Sequence, residues 1–358
     1  MTNASELEPD HPERSAAPVR RRKSKSTSIA LSDADRIQLM RNHPVFKRKF
    51  TFPTPPVRRA FDIVAKVVAT GASGCSFAAY PRFGKSCATD YLKEKLIEAF
   101  PGLLVVQFNA HDDARNTPNQ FFADLLEQSR FAGGIPERRA HMRERTVRAW
   151  WVTATSNQSD TIVLLGDEMQ HLRPNEFTWI IDLMNDLHKM DVRVIGVFFG
   201  QPELAHLRTL LKQTHRGDIL GRFMSRFYSF HGIAGAAELS EVMMCYDDPS
   251  QGAYPANSGC CFTRFFLPNA YDHGWRLASC ASDLWECFRE GAVPRLSAPN
   301  QVEKLMVGME WVAGAIQEMF ARFTDFDAPH FRLSLEHWRD AVNNCTFLDQ
   351  LGLTYEPD

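Results

Sequence analysis

The run Ala79-Tyr80-Pro81-Arg82-Phe83-Gly84-Lys85-Ser86 constrains this chain more than any other feature of its sequence. It lies between a short apolar stretch, Cys75-Ser76-Phe77-Ala78-Ala79-Tyr80, and a helical pattern, CATDYLKEKLIEAF. A Gly-Lys-Ser at a strand-to-helix junction is the arrangement of a phosphate-binding loop, GxxxxGK[ST], with Ala79 standing where the pattern has its first glycine. Gly84 lets the backbone turn so that successive N–H groups face phosphate oxygens. Lys85 supplies charge to the β- and γ-phosphates, and Ser86 offers a hydroxyl to Mg²⁺. The helix that starts there points its positive end at the same place. Pro81, Arg82, Phe83 and Cys87 complete the expected nucleotide contacts, and the implied cofactors are ATP and Mg²⁺.

The segment TIVLLGDEMQHL carries Asp167-Glu168 at the end of an apolar strand. That order suits a metal-shell carboxylate, Asp167 acting with Ser86, followed by Glu168 to polarise the attacking water. The adjacent glutamate favours hydrolysis over transfer of the phosphoryl group to a metabolite. The next strand, VRVIGVFFG, ends at Gln201, where a polar side chain lies beside a γ-phosphate and can sense it; an ordinary polar strand end is the competing reading. Farther on, ILGRFMSRF sets Arg222 and Arg226 among aromatics. One of them is a candidate arginine finger for a neighbouring subunit, against the alternative of a structural arginine in an ion pair.

Apolar runs at 103–110, 161–168 and 192–200 alternate with amphipathic segments, which indicates an α/β fold with a mainly parallel sheet. The segments include VRRAFDIVAKVVATG after Pro55-Pro56, TPNQFFADLLEQS with Thr117 as helix cap, an arginine-rich helix around 136–150, and NEFTWIIDLMNDLHKM. The organisation expected is a disordered basic tail (1–35), a P-loop ATPase core (36–235) and a smaller, mainly helical lid and C-terminal region (236–358). Hydrophobic residues at 44% and charged residues at 23% exclude wholesale disorder. No apolar run approaches the ~18–20 residues of a membrane helix, and the N-terminus lacks signal-peptide order, so a cytoplasmic protein is expected. Eight cysteines without a CxxC argue against a disulfide scaffold or zinc ribbon. Cys280 and Cys287, and the aromatics between Trp311 and Phe347, read as helical core. Net charge is −2, yet Arg20–Lys25, Lys47–Lys49 and Arg58-Arg59 gather positive charge near the N-terminus, which favours a polyanion there.

In this order the motifs resemble the AAA+ ATPases and, more narrowly, the ATP-dependent regulators of transposition of the TnsC and TniB kind. The residues that carry the resemblance are YPRFGKS (80–86), LLGDEMQHL (164–172), VIGVFFGQPEL (194–204), LGRF (220–223) and FTRFFLPNAYDHGWRLA (262–278). It implies an AAA+ P-loop parallel sheet with a helical lid, in a bacterial, DNA-associated protein. Such proteins assemble with ATP as rings or filaments on double-stranded DNA and link a target-selecting protein to a transposase. It gives Gln201 the sensor 1 role, Arg222 or Arg226 the finger, and Arg276 the sensor 2 role. Arg115, Asn116 and Thr117 fall where relatives contact the DNA backbone. A second candidate surface carries Arg138, Arg139, Arg143, Arg145 and Arg148, although Glu137 and Glu144 offer these arginines partners at helical spacing. Contacts of either kind go to phosphate and do not read sequence. The rival classes are a signalling switch ATPase without DNA function, a P-loop kinase, and a DNA-binding scaffold with a decayed ATP site.

Overall fold

A computed structural model describes residues 33–112, 116–129, 141–296 and 299–354. The apolar runs form strands β1 (Gly74–Ala78), β2 (Leu104–Asn109), β3 (Thr161–Asp167) and β4 (Arg193–Gly200). A fifth strand, β5 (Phe227–Ser229), is absent from the sequence reading; three half-exposed or exposed residues are too few to show a strand pattern. All pairings are parallel, in the order β2-β3-β4-β1-β5. A parallel sheet is covered on both faces, so its inner strands must be apolar throughout. Every residue of β3 is buried, and so is all of β4 beyond Arg193. One face packs Trp150, Phe177, Phe198 and Phe223 into a single cluster. Phe77 and Phe199, register partners on β1 and β4, stack at 4.7 Å between centroids.

This strand order matters for function because β4 lies between β1 and β3. The ends of β1, β3 and β4 emerge side by side, carrying the phosphate loop, the Asp-Glu pair and Gln201 respectively. Helix Lys85–Ala99 follows the loop directly. Helix Pro118–Gln128 starts as expected, with Thr117 as N-cap and proline in its first turn. The arginine-rich element is the helix Met142–Ser156, displaced from the expected 136–150, and residues 130–140 lie outside the described part.

Beyond residue 235 the described elements are helical, chiefly Ala236–Asp247, Ala281–Ala292, Met309–Phe323 and Leu335–Asn344. Trp311, Phe320, Phe331, Trp338 and Phe347 are buried there, as are Cys280 and Cys287, whereas Phe326 is 68% exposed. Residues His43–Asp358 form one compact unit, and Met1–Asn42 a separate one that contains the helix Asp33–Asn42. No helix among the described residues is long and apolar enough to cross a membrane.

His43 opens the larger unit and makes its stability sensitive to acid. Its Nδ1 accepts from Val45 N at 3.1 Å, capping the helix Pro44–Lys47, while Tyr254, Phe262, Phe265 and Phe266 surround the ring at 4.5–4.7 Å. Its Nε2 is buried without a hydrogen-bond partner among the described residues. Burial among these rings pushes the imidazole pKa down to about 3. The unfolded chain therefore takes up the proton first. The contribution is complete above the unfolded value of about 6.5 and declines as pH falls toward 3, by about 1.4 kcal/mol per unit at most. His43→Asn keeps a neutral cap acceptor, so its urea midpoint should depend less steeply on pH between 6.5 and 4 than the wild type's. Equal slopes in the two proteins would remove His43 as the source.

Candidate nucleotide site

The phosphate loop begins where β1 ends. Gly84 caps the following helix at φ 94°, a left-handed conformation that favours glycine. Arg82 is also left-handed, at φ 67°. Ala79 is not among the positive-φ residues; it is buried, and its N–H donates to Gly200 O at 3.0 Å. An alanine at the pattern's first glycine therefore costs the backbone nothing here.

The loop faces the ends of β3 and β4. Ser86 Oγ donates to Asp167 Oδ2 at 2.7 Å, and Glu168 N donates to Asp167 Oδ1 at 2.9 Å. Burial pushes the Asp167 carboxyl above its ordinary range, against those two hydrogen bonds and the Lys85 charge. Lys85 is buried, with Nζ 3.8 Å from Glu168 Oε1. Gln201 Nε2 donates to Glu168 Oε2 at 3.0 Å, and Gln170 Nε2 donates to the same oxygen at 2.5 Å. Burial works to raise Glu168, but these two amides and the Lys85 ammonium outweigh it and hold the carboxyl below the usual carboxylate range. The two acids therefore differ in character: one desolvated beside a hydroxyl, one ionised and held by donors.

A cleft of ≈ 440 Å³ opens over the loop, lined by Pro81, Arg82, Gly84, Lys85, Ser86, Cys87, Glu168 and Gln201. Its far wall comes from segments with no sequence motif: Arg48 and Phe50 ahead of the helix Pro55–Thr70, and Met309, Glu310 and Ala313 on the helix Met309–Phe323. Glu310 Oε1 accepts from Arg82 Nη1 at 3.1 Å and from Arg48 Nη1 at 3.2 Å, and Glu310 N donates to Arg82 O at 3.3 Å. A second cleft of ≈ 320 Å³ touches Ser86, Thr89, Asn109 and Asp167. Hydroxyl and carboxylate oxygens beside open space fit a hard cation such as Mg²⁺.

Three residues expected at the nucleotide site have their side chains engaged elsewhere. Phe83 turns its ring into the core, 2% exposed and 5.7 Å from Tyr80, so only its backbone can face a phosphate. Arg276 does not line the cleft. Its guanidinium stacks 3.6 Å over the Tyr271 ring and donates to Tyr271 O and Trp275 O, a local turn that leaves no reach for a sensor role. Arg222 Nη2 donates to Asn185 Oδ1 at 2.8 Å within its own chain. Arg226 is exposed and makes no side-chain hydrogen bond or ion pair among the described residues. It precedes β5, the edge strand, and its carbonyl accepts from Ser76 N in the middle of β1.

The DNA candidates are dispersed. Arg115, Arg138 and Arg139 lie outside the described residues. Asn116 Nδ2 donates to Glu176 Oε1 at 2.7 Å, and Thr117 Oγ1 accepts from Gln120 N, so both side chains serve helix ends. Arg143 pairs with Asp182 and Asp186 at 3.5 and 3.3 Å, and half-buried Arg145 lies against Met142 Sδ. Acidic neighbours that offset Arg143 weaken this helix as a phosphate surface. Arg148 remains exposed.

Strand order, phosphate loop and Asp-Glu pair together define the class: this is an AAA+ P-loop fold. Residues 70–207 match the family described as AAA domain. The ORC2 protein of Aeropyrum pernix in its ADP form is similar in structure, at 12% identity and a TM-score of 0.50, over 86% of this chain and 73% of that one. The same protein as ADPNP-ADP complexes gives 11%, 0.48, 85% and 72%. Domain III of the replication initiation protein DnaA of Thermotoga maritima gives 13%, 0.39, 85% and 94%. At 12% identity the likeness to the ADP form of ORC2 is one of fold. No curated protein matches the chain in sequence.

Proposed function

We propose that this chain is a Mg²⁺-dependent ATPase that oligomerises on double-stranded DNA and, in the manner of the TnsC and TniB regulators it resembles, couples target selection to recruitment of a transposase. One observation carries the nucleotide half of this reading. The loop's cation and hydroxyl lie 3.8 and 2.7 Å from the two carboxylates of the Asp-Glu pair, Glu168 lining the first cleft, Asp167 the second and Ser86 both. Lys85 and the loop N–H groups bind the triphosphate, Glu168 takes the proton of the attacking water, and Gln201 links that carboxylate to the end of β4. Mg²⁺ held by Ser86 and Asp167 would offset phosphate charge. The ORC2 protein that shares this fold is an ADP form.

Arg226 supports the oligomer. An exposed guanidinium beside the edge strand, without a hydrogen bond or ion pair among the described residues and outside the lining of its own cleft, suits a neighbour's site better than its own. The DNA half rests on the motif resemblance and on the basic N-terminal segment. Hydrolysis should therefore rise on adding duplex DNA of random sequence, and the rise should shrink as salt increases, because phosphate contacts release counterions. A turnover rate indifferent to duplex at every salt concentration would favour the signalling-switch reading instead.

A further inference from the structure

Gln170 lies within the segment LLGDEMQHL but has no role in the phosphate-site reading of it, yet its amide makes the shortest contact to Glu168. Its Nε2 donates to Glu168 Oε2 at 2.5 Å, while its Oε1 accepts from Gln201 N at 3.0 Å. Gln201 Nε2 donates to the same Oε2 at 3.0 Å. Glu168 Oε1 is left facing Lys85 at 3.8 Å, beyond hydrogen-bond distance. The backbone is built to bring this about. Glu168 is left-handed, at φ 54°, and starts the short turn Met169–His171, closed by His171 N donating to Glu168 O at 3.0 Å. Met169 anchors the turn in the core; a Cβ on Gly166 would come within 2.4 Å of its Sδ. A non-glycine residue in that conformation persists only where its surroundings impose it, and such residues gather at functional sites.

We propose that Gln170 is a positioning residue for water attack: its amide fixes Glu168 Oε2 so that Oε1 is the oxygen presented to the water. This rests on the reading of the chain as an ATPase with Glu168 as base. The terminal torsion of a glutamate is broad, so a free carboxylate would present either oxygen. Two donors on one oxygen remove that freedom. A bound triphosphate draws the Lys85 ammonium away and leaves Oε1 as the open acceptor. The water oxygen then bonds to the γ-phosphorus as its proton passes to Oε1. The bond from that phosphorus to the bridging oxygen breaks, and its electron pair leaves with ADP.

The test uses the full chain with duplex DNA and two substitutions. Gln170→Met keeps length and volume but neither donates nor accepts. Gln170→Glu keeps an acceptor for Gln201 N and loses the donor to Glu168. Both should lower kcat by about tenfold to a hundredfold, the range for a lost hydrogen bond to a charged group, with KM and ATP affinity unchanged. Wild-type kcat in Gln170→Glu would mean that the residue serves only to accept the Gln201 N–H, and the proposal falls. It falls equally if neither substitution changes kcat, or if both lose ATP affinity along with it. Glu168→Gln is measured alongside. Wild-type hydrolysis by that variant overturns the assignment of the base itself, whereas its loss with unaffected Gln170 variants overturns only the positioning role.

Discussion

Lys85→Met should reduce ATP affinity by about a hundredfold or more, while the protein remains folded. The ammonium is buried and its nearest carboxylate oxygen is 3.8 Å away, so the empty site holds the charge in poor geometry. A polyphosphate offers short, charge-assisted hydrogen bonds in exchange. Removing one charged partner from a buried pair costs roughly 3–5 kcal/mol, which is about two to four orders of magnitude in affinity. Methionine keeps most of the buried stem, so loss of packing is small. Glu168 retains its bonds from Gln170 and Gln201, so the fold around it should survive. Lys85→Ala removes the stem as well and should bind no better. Titration with a fluorescent ATP analogue reads the affinity, and thermal unfolding checks the fold. Wild-type affinity in Lys85→Met would remove Lys85, and with it the phosphate-loop reading.

The difference between what was legible in the sequence and what was not follows from range. The phosphate loop, Asp167, Glu168 and Gln201 each sit at a strand end, and a buried parallel strand announces itself by continuous apolar residues. Those positions could be read one strand at a time, and the strand order then gathers them. Ala79 was a departure on paper only, because the fold places positive φ at Arg82 and Gly84 instead. The far wall of the cleft is a different matter. Glu310 meets Arg82 across 228 residues and Arg48 across 262, and no local pattern encodes such a meeting. Arg276 failed for the same reason in reverse: its motif-like setting, Gly274-Trp275-Arg276, is a local turn that consumes the side chain. Gln170 lay in plain view two residues beyond Glu168. Its role needed the left-handed turn that folds it back, which no residue type in the segment signals.

The choice between Arg222 and Arg226 could not be made from sequence, because both sit among aromatics in one short element. Their side chains differ: Arg222 is bonded to Asn185, whereas Arg226 makes no side-chain hydrogen bond among the described residues, and on that difference we propose Arg226 as the finger. Arg226→Ala should therefore leave folding and ATP binding intact and remove hydrolysis that depends on assembly. Arginine fingers contribute about 10³–10⁵ in kcat. Arg222→Ala should instead lower thermal stability, since it frees the partly buried Asn185 amide. A mixing experiment separates a shared site from a local defect. An Arg226→Ala chain keeps Lys85, Asp167 and Glu168, while a Glu168→Gln chain keeps its finger. Each variant alone should be nearly inactive, the second because general-base losses run to about 10²–10⁴. In a mixed assembly, some interfaces join the intact carboxylates of one chain to the intact guanidinium of the other. Those interfaces should hydrolyse ATP, with a rate that peaks at intermediate mixing ratios. A mixture as inactive as its components would place the finger elsewhere or deny a shared site. Recovery by Arg222→Ala but not by Arg226→Ala would reverse the assignment made from their side-chain partners.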